Sequence, residues 1–156
     1  MPKVTFEQYL DMPEYNNIQT RMLGADSFPY RNVSITIETF NAAVEAIDNA
    51  YFVGVQEAYD ISVKLMLREL GVVGNSTRAN GESDEPKIVR ERDNGGSAAK
   101  QKAAILSNPV LMKRIQDLNY WDRHLYRIAT ERFCATAEKY PDLYAQVQKT
   151  KVRCSA

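Results

Sequence analysis

The stretch that most constrains the fold is residues 51–71, YFVGVQEAYDISVKLMLRELG. Its first five residues are aromatic or β-branched apart from one glycine, a composition typical of a strand buried on both faces. The rest has apolar residues at helical spacing. It predicts a helix from Asp60 to Leu70, with Asp60 as its N-cap and Gly71 as its stop. We therefore predict a strand, a turn and a helix in the middle of the molecule.

The predicted helix is apolar on two sides, which indicates that it is covered on both. The larger apolar side consists of Tyr59, Val63, Met66, Leu67 and Leu70. Ile61 and Leu65 lie on the opposite side. Because a strand inside the core cannot accommodate an unpaired charge, we expect Tyr51→Asp or Val53→Asp to abolish folding.

Helical patterns occupy most of the remaining chain. The predicted helices are 5–10, 16–23 ended by Gly24, about 35–50 capped by Ser34 or Thr36, one starting at Pro109 after an Asn108 cap, one from an Asp122 cap to Tyr140, and a turn at 143–147. We predict a mostly helical α/β fold with a minimal sheet centred on residues 51–55. It forms a single domain over residues 1–150, followed by a frayed tail at 151–156. One strand cannot satisfy its own backbone groups, so its neighbours come either from the loops or from another chain.

A long loop is predicted at about residues 72–100, where glycine, asparagine, serine and charged residues replace large apolar ones. Residues 87–89 are a weak candidate for an extended segment within it. Loops of this length are usually functional or mobile. Four basic residues in or beside this loop are candidates for phosphate binding: Arg90, Arg92, Lys100 and Lys102. The simpler interpretation is a solvated run of mixed charge, whereas the functional one is bidentate hydrogen bonding from an arginine to phosphate.

Charge and cysteine content narrow the class of protein. Lys plus Arg equals Asp plus Glu, at 20 each, so no overall field favours nucleic acid or an anionic membrane. The chain contains no apolar run near the roughly 20 residues that span a bilayer, and its start lacks a signal peptide's apolar stretch. These features predict a soluble chain and leave its compartment open. Cys134 and Cys154 are interpreted as two free thiols.

Familiar catalytic motifs do not occur in the sequence. There is no glycine-rich phosphate loop ending in Lys-Ser/Thr, no GxSxG, no HExxH and no CxxC. The single histidine, His124, would need a partner and a pocket to act as a base, and a histidine at a surface or helix start is the simpler interpretation. Trp121 is interpreted as a packing anchor. No catalytic residue and no metal ligand is assigned.

Three segments nevertheless occur in a specific order. They are NxQTRMLG at residues 17–24, YFVGVQE at 51–57 with the following helix, and NxxDxxLYxxAxxxF at 119–133. Together they resemble the carboxyl half of the membrane-type carbohydrate sulfotransferases, which include the heparan sulfate 2-O-sulfotransferases. The similarity spans residues 5 to 133.

The resemblance implies transfer of a sulfuryl group from 3′-phosphoadenosine 5′-phosphosulfate (PAPS) to a sugar hydroxyl, on a fold related to nucleotide kinases. In that family the amino half supplies the 5′-phosphosulfate loop and the catalytic base, and neither motif occurs here. The resemblance places Arg90 and Arg92, with Lys100 and Lys102 behind them, near the cofactor's 3′-phosphate. It implies a sulfotransferase-like domain that is inactive alone, with another protein chain covering its sheet edge and apolar face.

Two alternatives stay open. One is a non-catalytic structural or assembly subunit derived from a sulfotransferase. The other is an unrelated helical interaction domain, which predicts that no parallel sheet forms beside residues 51–55.

Overall fold

A computed structural model of the chain describes residues 5–25, 34–72 and 97–154. Within these ranges there are eight α-helices: α1 (Phe6–Leu10), α2 (Ile18–Gly24), α3 (Ile37–Asn49), α4 (Tyr59–Glu69), α5 (Ser97–Leu106), α6 (Pro109–Leu118), α7 (Tyr120–Glu138) and α8 (Pro141–Val147). Single 3-10 turns occur at Pro13–Tyr15 and Gln56–Ala58. The described part of the chain is therefore mostly helical, as predicted.

The chain divides into two compact units. Unit 1 consists of Met1–Asn49 and Glu91–Tyr126, and unit 2 consists of Ala50–Arg90 and Arg127–Ala156. The boundary between them falls within α7. The single domain over residues 1–150 stays a prediction.

The predicted strand at residues 51–55 is not a strand. These residues are extended, but no β-strand occurs among the residues that the structure describes, so the minimal sheet is wrong for this part of the chain. Tyr51 is 69% exposed, and of the five residues only Val55 is buried. The Ser62 hydroxyl of α4 accepts a hydrogen bond from the Val55 N–H and donates one to its C=O, both at 3.0 Å. A side chain thus replaces the neighbouring strand that the pattern predicted.

Helix α4 buries the smaller of its two apolar faces. Ile61, Ser62 and Leu65 are buried. On the face with more apolar residues, Val63, Met66 and Leu67 are half-buried, and Leu70, directly after the helix, is 52% exposed. The Ser62 contact with Val55 turns this face inward. The helix begins at Tyr59 without a side-chain cap, so the predicted Asp60 cap is also wrong. Its end is as predicted, because Gly71 has φ +68°, in the left-handed region that favours glycine.

The core of unit 2 is apolar and includes a disulfide. Its buried residues are Val55, Ala58, Ile61, Leu65, Phe133, Cys134, Ala137, Leu143, Val147 and Val152. Cys134 of α7 is bonded to Cys154, with their Cα atoms 5.6 Å apart, within the usual range for disulfides. The prediction of two free thiols is therefore wrong. The predicted fraying is also wrong for residues 151–154, since Val152 is buried, whereas residues 155–156 lie outside the described residues. Sequence separation alone could not show that the end of the chain returns to α7.

Unit 1 contains a close approach between α2 and α3. A Cβ atom on Gly24 would lie 2.0 Å from the Thr39 carbonyl oxygen. Gly24 belongs to the last turn of α2, so it serves this approach rather than following the helix as a stop. Helix α3 starts as predicted, with the Thr36 hydroxyl accepting from the Thr39 N–H at 3.3 Å. Ala43 and Ile47, four residues apart on one side of the helix, are buried.

Other helix ends also follow their sequence signals. Asn108 Oδ1 accepts from the Leu111 N–H at 3.1 Å, with Pro109 as the first residue of α6. Pro141 separates α7 from α8. Helix α5, by contrast, occupies the end of the predicted loop at 72–100. Its alanine, lysine and glutamine residues favour a helix, and the composition of the preceding stretch obscured that signal. Residues 73–96, including the weak candidate at 87–89, lie outside the described residues.

Candidate functional site

The four basic residues predicted to bind phosphate are only partly described. Arg90 and Arg92 lie outside the described residues. Lys100 lies in α5, but the structure describes only its backbone. Lys102 is exposed on the same helix. The 3′-phosphate site therefore stays a prediction.

The structure does bring together residues from the first and third segments of the resemblance. Asp122, in the first turn of α7, contacts the first turn of α2. Its Oδ1 accepts hydrogen bonds from the Thr20 N–H at 2.8 Å and the Thr20 hydroxyl at 2.7 Å, and its Oδ2 accepts from the Gln19 N–H at 3.1 Å. N–H groups in the first turn of a helix have no partner within that helix, and a carboxylate there is favoured by their partial positive charge. Asp122 thus caps α2, whereas the sequence predicted that it caps its own helix.

The capping is reciprocal. Asn17, which precedes α2, accepts at its Oδ1 from the Asp122 N–H at 3.1 Å and donates from its Nδ2 to the Leu118 carbonyl at 2.8 Å. The Asn17 N–H donates to Asn119 Oδ1 at 3.0 Å. Asn17 has φ 51°, a left-handed conformation that asparagine adopts more readily than most residues. We call Asn17, Thr20, Asn119 and Asp122 the α2–α7 junction.

Arg21, which belongs to the first segment as well, supports the entry to α2. It is only 9% exposed. Its Nε donates to the Asn16 carbonyl at 3.1 Å, and a terminal nitrogen donates to the Pro13 carbonyl at 3.0 Å. The guanidinium therefore fixes the turn that leads into the junction.

Aromatic rings lie next to the junction. The Trp121 ring packs against Phe40 of α3, with centroids 5.0 Å apart, which is the packing role predicted for it. The His124 ring lies edge-on to Tyr120 at 4.4 Å. This half-buried position in the early part of α7 agrees with the simpler interpretation of the histidine.

The polar side chains of the junction cap α2 and α7 and connect the two helices, which is a structural role. A general base must accept a proton from the attacking hydroxyl, and Asp122 already accepts three hydrogen bonds. Among the described residues, every buried side-chain nitrogen or oxygen atom has a hydrogen-bond partner. The geometry thus accounts for why these residue types occur at this spacing, without assigning any of them to catalysis.

Unit 2 contains a second polar cluster that sequence patterns did not indicate. Glu69 accepts from the Tyr140 hydroxyl at 2.9 Å and from Lys139 at 3.2 Å. Partial burial raises the pKa of Tyr140, and the Glu69 carboxylate raises it further. Arg68 forms two hydrogen bonds of 2.7 Å to Asp142, and these lower the pKa of the Asp142 carboxyl below its usual range. The partners are about 70 residues apart, so no local signal could have paired them.

An open groove of about 450 Å³ lies in unit 2 beside the extended segment and α4. Its lining is mainly apolar and includes Phe52, Val55, Tyr59 and Met66. None of the described residues that line it is charged, so the described lining offers no arginine or lysine to a phosphate or sulfate group. The Ser62 hydroxyl, which also lines it, is already hydrogen-bonded to Val55.

Within the described ranges, no three His, Cys, Asp or Glu side chains are grouped in a way that could hold a metal ion. None of the helices in those ranges has both the length and the apolar character needed to cross a bilayer. No protein-family model, curated protein or solved structure shows significant similarity to the chain.

Proposed function

We propose that the chain is a sulfotransferase-like domain that contributes the carboxyl half of such a fold and does not transfer a sulfuryl group by itself. The α2–α7 junction is the observation that carries the proposal. Thr20 and Asp122 come from two separate segments of the resemblance, 102 residues apart, and they hydrogen-bond directly. Two segments retained from one ancestral fold are expected to meet in this way, because each supplies the other's helix cap.

The need for a partner follows from the chemistry of sulfuryl transfer. The reaction requires hydrogen-bond donors around the leaving phosphate and a base for the attacking hydroxyl. The 156 residues contain no glycine-rich phosphate loop, and the Asp122 carboxylate is used in helix capping. A partner chain would supply the loop and the base. This chain would add contacts from Arg90 and Arg92 to the cofactor's 3′-phosphate, with Lys100 and Lys102 nearby.

Calorimetric titration with adenosine 3′,5′-bisphosphate, the product of PAPS after transfer, tests the proposal. The sample is the full chain with any chains that co-purify with it. We expect binding that is lost in an Arg90→Ala/Arg92→Ala double variant and kept in an Arg123→Ala/Arg153→Ala control, which removes two exposed arginines.

Adenosine 5′-monophosphate serves as the second control, because it lacks the 3′-phosphate. Equal binding of both nucleotides would contradict a 3′-phosphate site. A helical, cooperatively unfolding sample that gives no heat with the bisphosphate would overturn the cofactor proposal.

A non-catalytic structural or assembly subunit is the second candidate. It is favoured by the junction itself, whose polar groups are used in holding helices together. An unrelated helical interaction domain also predicts the lack of a sheet beside residues 51–55, and the described residues contain none. Native mass spectrometry that finds a stable complex with another chain, together with no nucleotide binding, would favour the subunit over the sulfotransferase-like domain.

A further inference from the structure

The residues that follow α8, 148–154, form what we call the C-terminal segment. Its hydrogen bonds within the described residues are all local. The Thr150 N–H and hydroxyl both donate to the Val147 carbonyl, at 2.9 and 2.7 Å, and the Val152 N–H donates to the Thr150 hydroxyl at 3.1 Å. None of these bonds joins the segment to α4 or α7. Val152 is nevertheless 7% exposed and belongs to the core of unit 2.

The segment is held by the burial of Val152 and by the disulfide. Cys134 is buried in α7, whereas Cys154 is half-buried and packs against the core. Residues 148–150 are held by backbone hydrogen bonds to α8. Ordering the remaining residues, 151–154, costs more conformational entropy than the burial of one valine offsets. The covalent bond is therefore what keeps the segment in place.

We propose that the Cys134–Cys154 disulfide is a redox-sensitive clamp that holds Val152 in the core of unit 2. The unit is complete only when this bond is formed. Since disulfides persist in oxidising compartments and are rare in the reducing cytosol, the chain reaches its full structure in an oxidising compartment. Reduction releases the C-terminal segment and uncovers the apolar surface beneath Val152.

The reducing step is thiol–disulfide exchange with a dithiol. A reductant thiolate attacks the sulfur of Cys154, the more accessible cysteine, and the bond to Cys134 breaks. Cys134 leaves as a thiolate and takes a proton. The second reductant thiol attacks the mixed disulfide and frees Cys154 as a thiol. The protein gains two electrons and two protons, and the dithiol becomes a disulfide. Because Cys134 leaves into apolar surroundings, we expect slow reduction in the folded protein and fast reduction in urea.

Thiol alkylation with intact-mass measurement and hydrogen exchange test the clamp in the full chain, purified under oxidising conditions. We expect no free thiol and slow exchange in residues 148–154 before treatment. After dithiothreitol we expect two alkylated cysteines, at least tenfold faster exchange in that segment, and a Tm about 10 °C lower. Exchange in α2 and α3 should not change.

Cys154→Ala is the matched variant, because it breaks the bond and leaves the core cysteine in place. It should reproduce the reduced protein and no longer respond to dithiothreitol, whereas Lys151→Ala, at an exposed neighbour, should behave as the parent chain. Two alkylatable thiols in the folded, oxidised protein would overturn the proposal. So would a Cys154→Ala variant with unchanged Tm and exchange. If that variant does not fold, the parent chain before and after reduction makes the same comparison.

Discussion

Different kinds of interaction stabilise the interior of each unit. The buried set of unit 1 includes the polar residues Asn17, Thr20 and Arg21, which hydrogen-bond to particular partners. The buried set of unit 2 has ten residues in one hydrophobic cluster, with Ser62 and Thr130 as its buried polar residues among those described, and is cross-linked by a disulfide. Apolar cores tolerate exchange between residues of similar volume, whereas a buried polar group needs its own partner. Substitutions at the buried polar residues of unit 1 should therefore be tolerated less well than substitutions of similar volume in the apolar core of unit 2.

The largest effect is expected from a charge in the core of unit 2. Val55→Asp should abolish the cooperative unfolding transition, because an unpaired buried charge costs several kcal/mol against a total stability of about 5–15 kcal/mol. Tyr51→Asp, which the sequence predicted to be equally damaging, should cost only about 1 kcal/mol. Tyr51 is largely exposed and would lose one hydrogen bond, to the Glu69 carbonyl.

Urea unfolding followed by circular dichroism distinguishes these two variants. If Tyr51→Asp and Val55→Asp both fail to fold, the extended segment is buried on two faces after all, and the strand prediction would stand again.

A smaller effect is expected from truncating α4. Leu65→Ala should lower the free energy of unfolding by about 2–5 kcal/mol, because the side chain is fully buried. Leu70→Ala, the matched control at a leucine that is 52% exposed directly after the helix, should change it by no more than about 0.5 kcal/mol. The midpoint of urea unfolding measures both. The reverse order would mean that the larger apolar face of α4 is the buried one.

In unit 1 the comparable test is Asp122→Ala. It should cost about 1.5–3 kcal/mol, because it removes a charged acceptor from three donors at the start of α2. Asp117→Ala is the control, since it breaks only an exposed ion pair with Lys113 and should cost about 0.5 kcal/mol or less. Hydrogen exchange should locate the loss in α2. Unchanged protection of α2 in Asp122→Ala would contradict reciprocal capping.

The smallest effect is expected from protonation of Asp142 at acidic pH. The Arg68 hydrogen bonds lower the pKa of Asp142 in the folded state. The pair therefore stabilises the protein fully at pH values above the pKa of aspartate in the unfolded chain, and this stabilisation is lost as the pH falls through the lowered pKa of the folded state. The contribution should stay below about 1 kcal/mol, because the carboxylate is more than half exposed.

Urea unfolding of the parent chain and Asp142→Asn at pH 7 and pH 3 measures this contribution. The stability difference between the two proteins should be largest at pH 7 and should shrink towards pH 3. A difference that stays constant with pH would mean that the pair does not account for it.

Parts of the candidate site could be found in the sequence, but not their roles. Asn17, Thr20, Asn119 and Asp122 all fall within the segments that carry the resemblance. Their spacing did not show that Asp122 caps α2, because the donors lie more than 100 residues away in the chain. The Glu69 and Tyr140 cluster was missed for the same reason.

The sequence by itself determined where several helices begin and end. The residues that set these ends act on backbone groups within a few residues of themselves, so local chemistry decides where the helix begins or ends. They are Thr36 before α3, Asn108 with Pro109 before α6, and Gly71 after α4. Only the tertiary structure decided which face of α4 is buried, that Ser62 satisfies Val55, and that Cys134 meets Cys154. Each of these depends on which segments come together when the core forms. The free energy gained by burying apolar surface depends on the packing of all these segments, and the composition of one segment does not determine it.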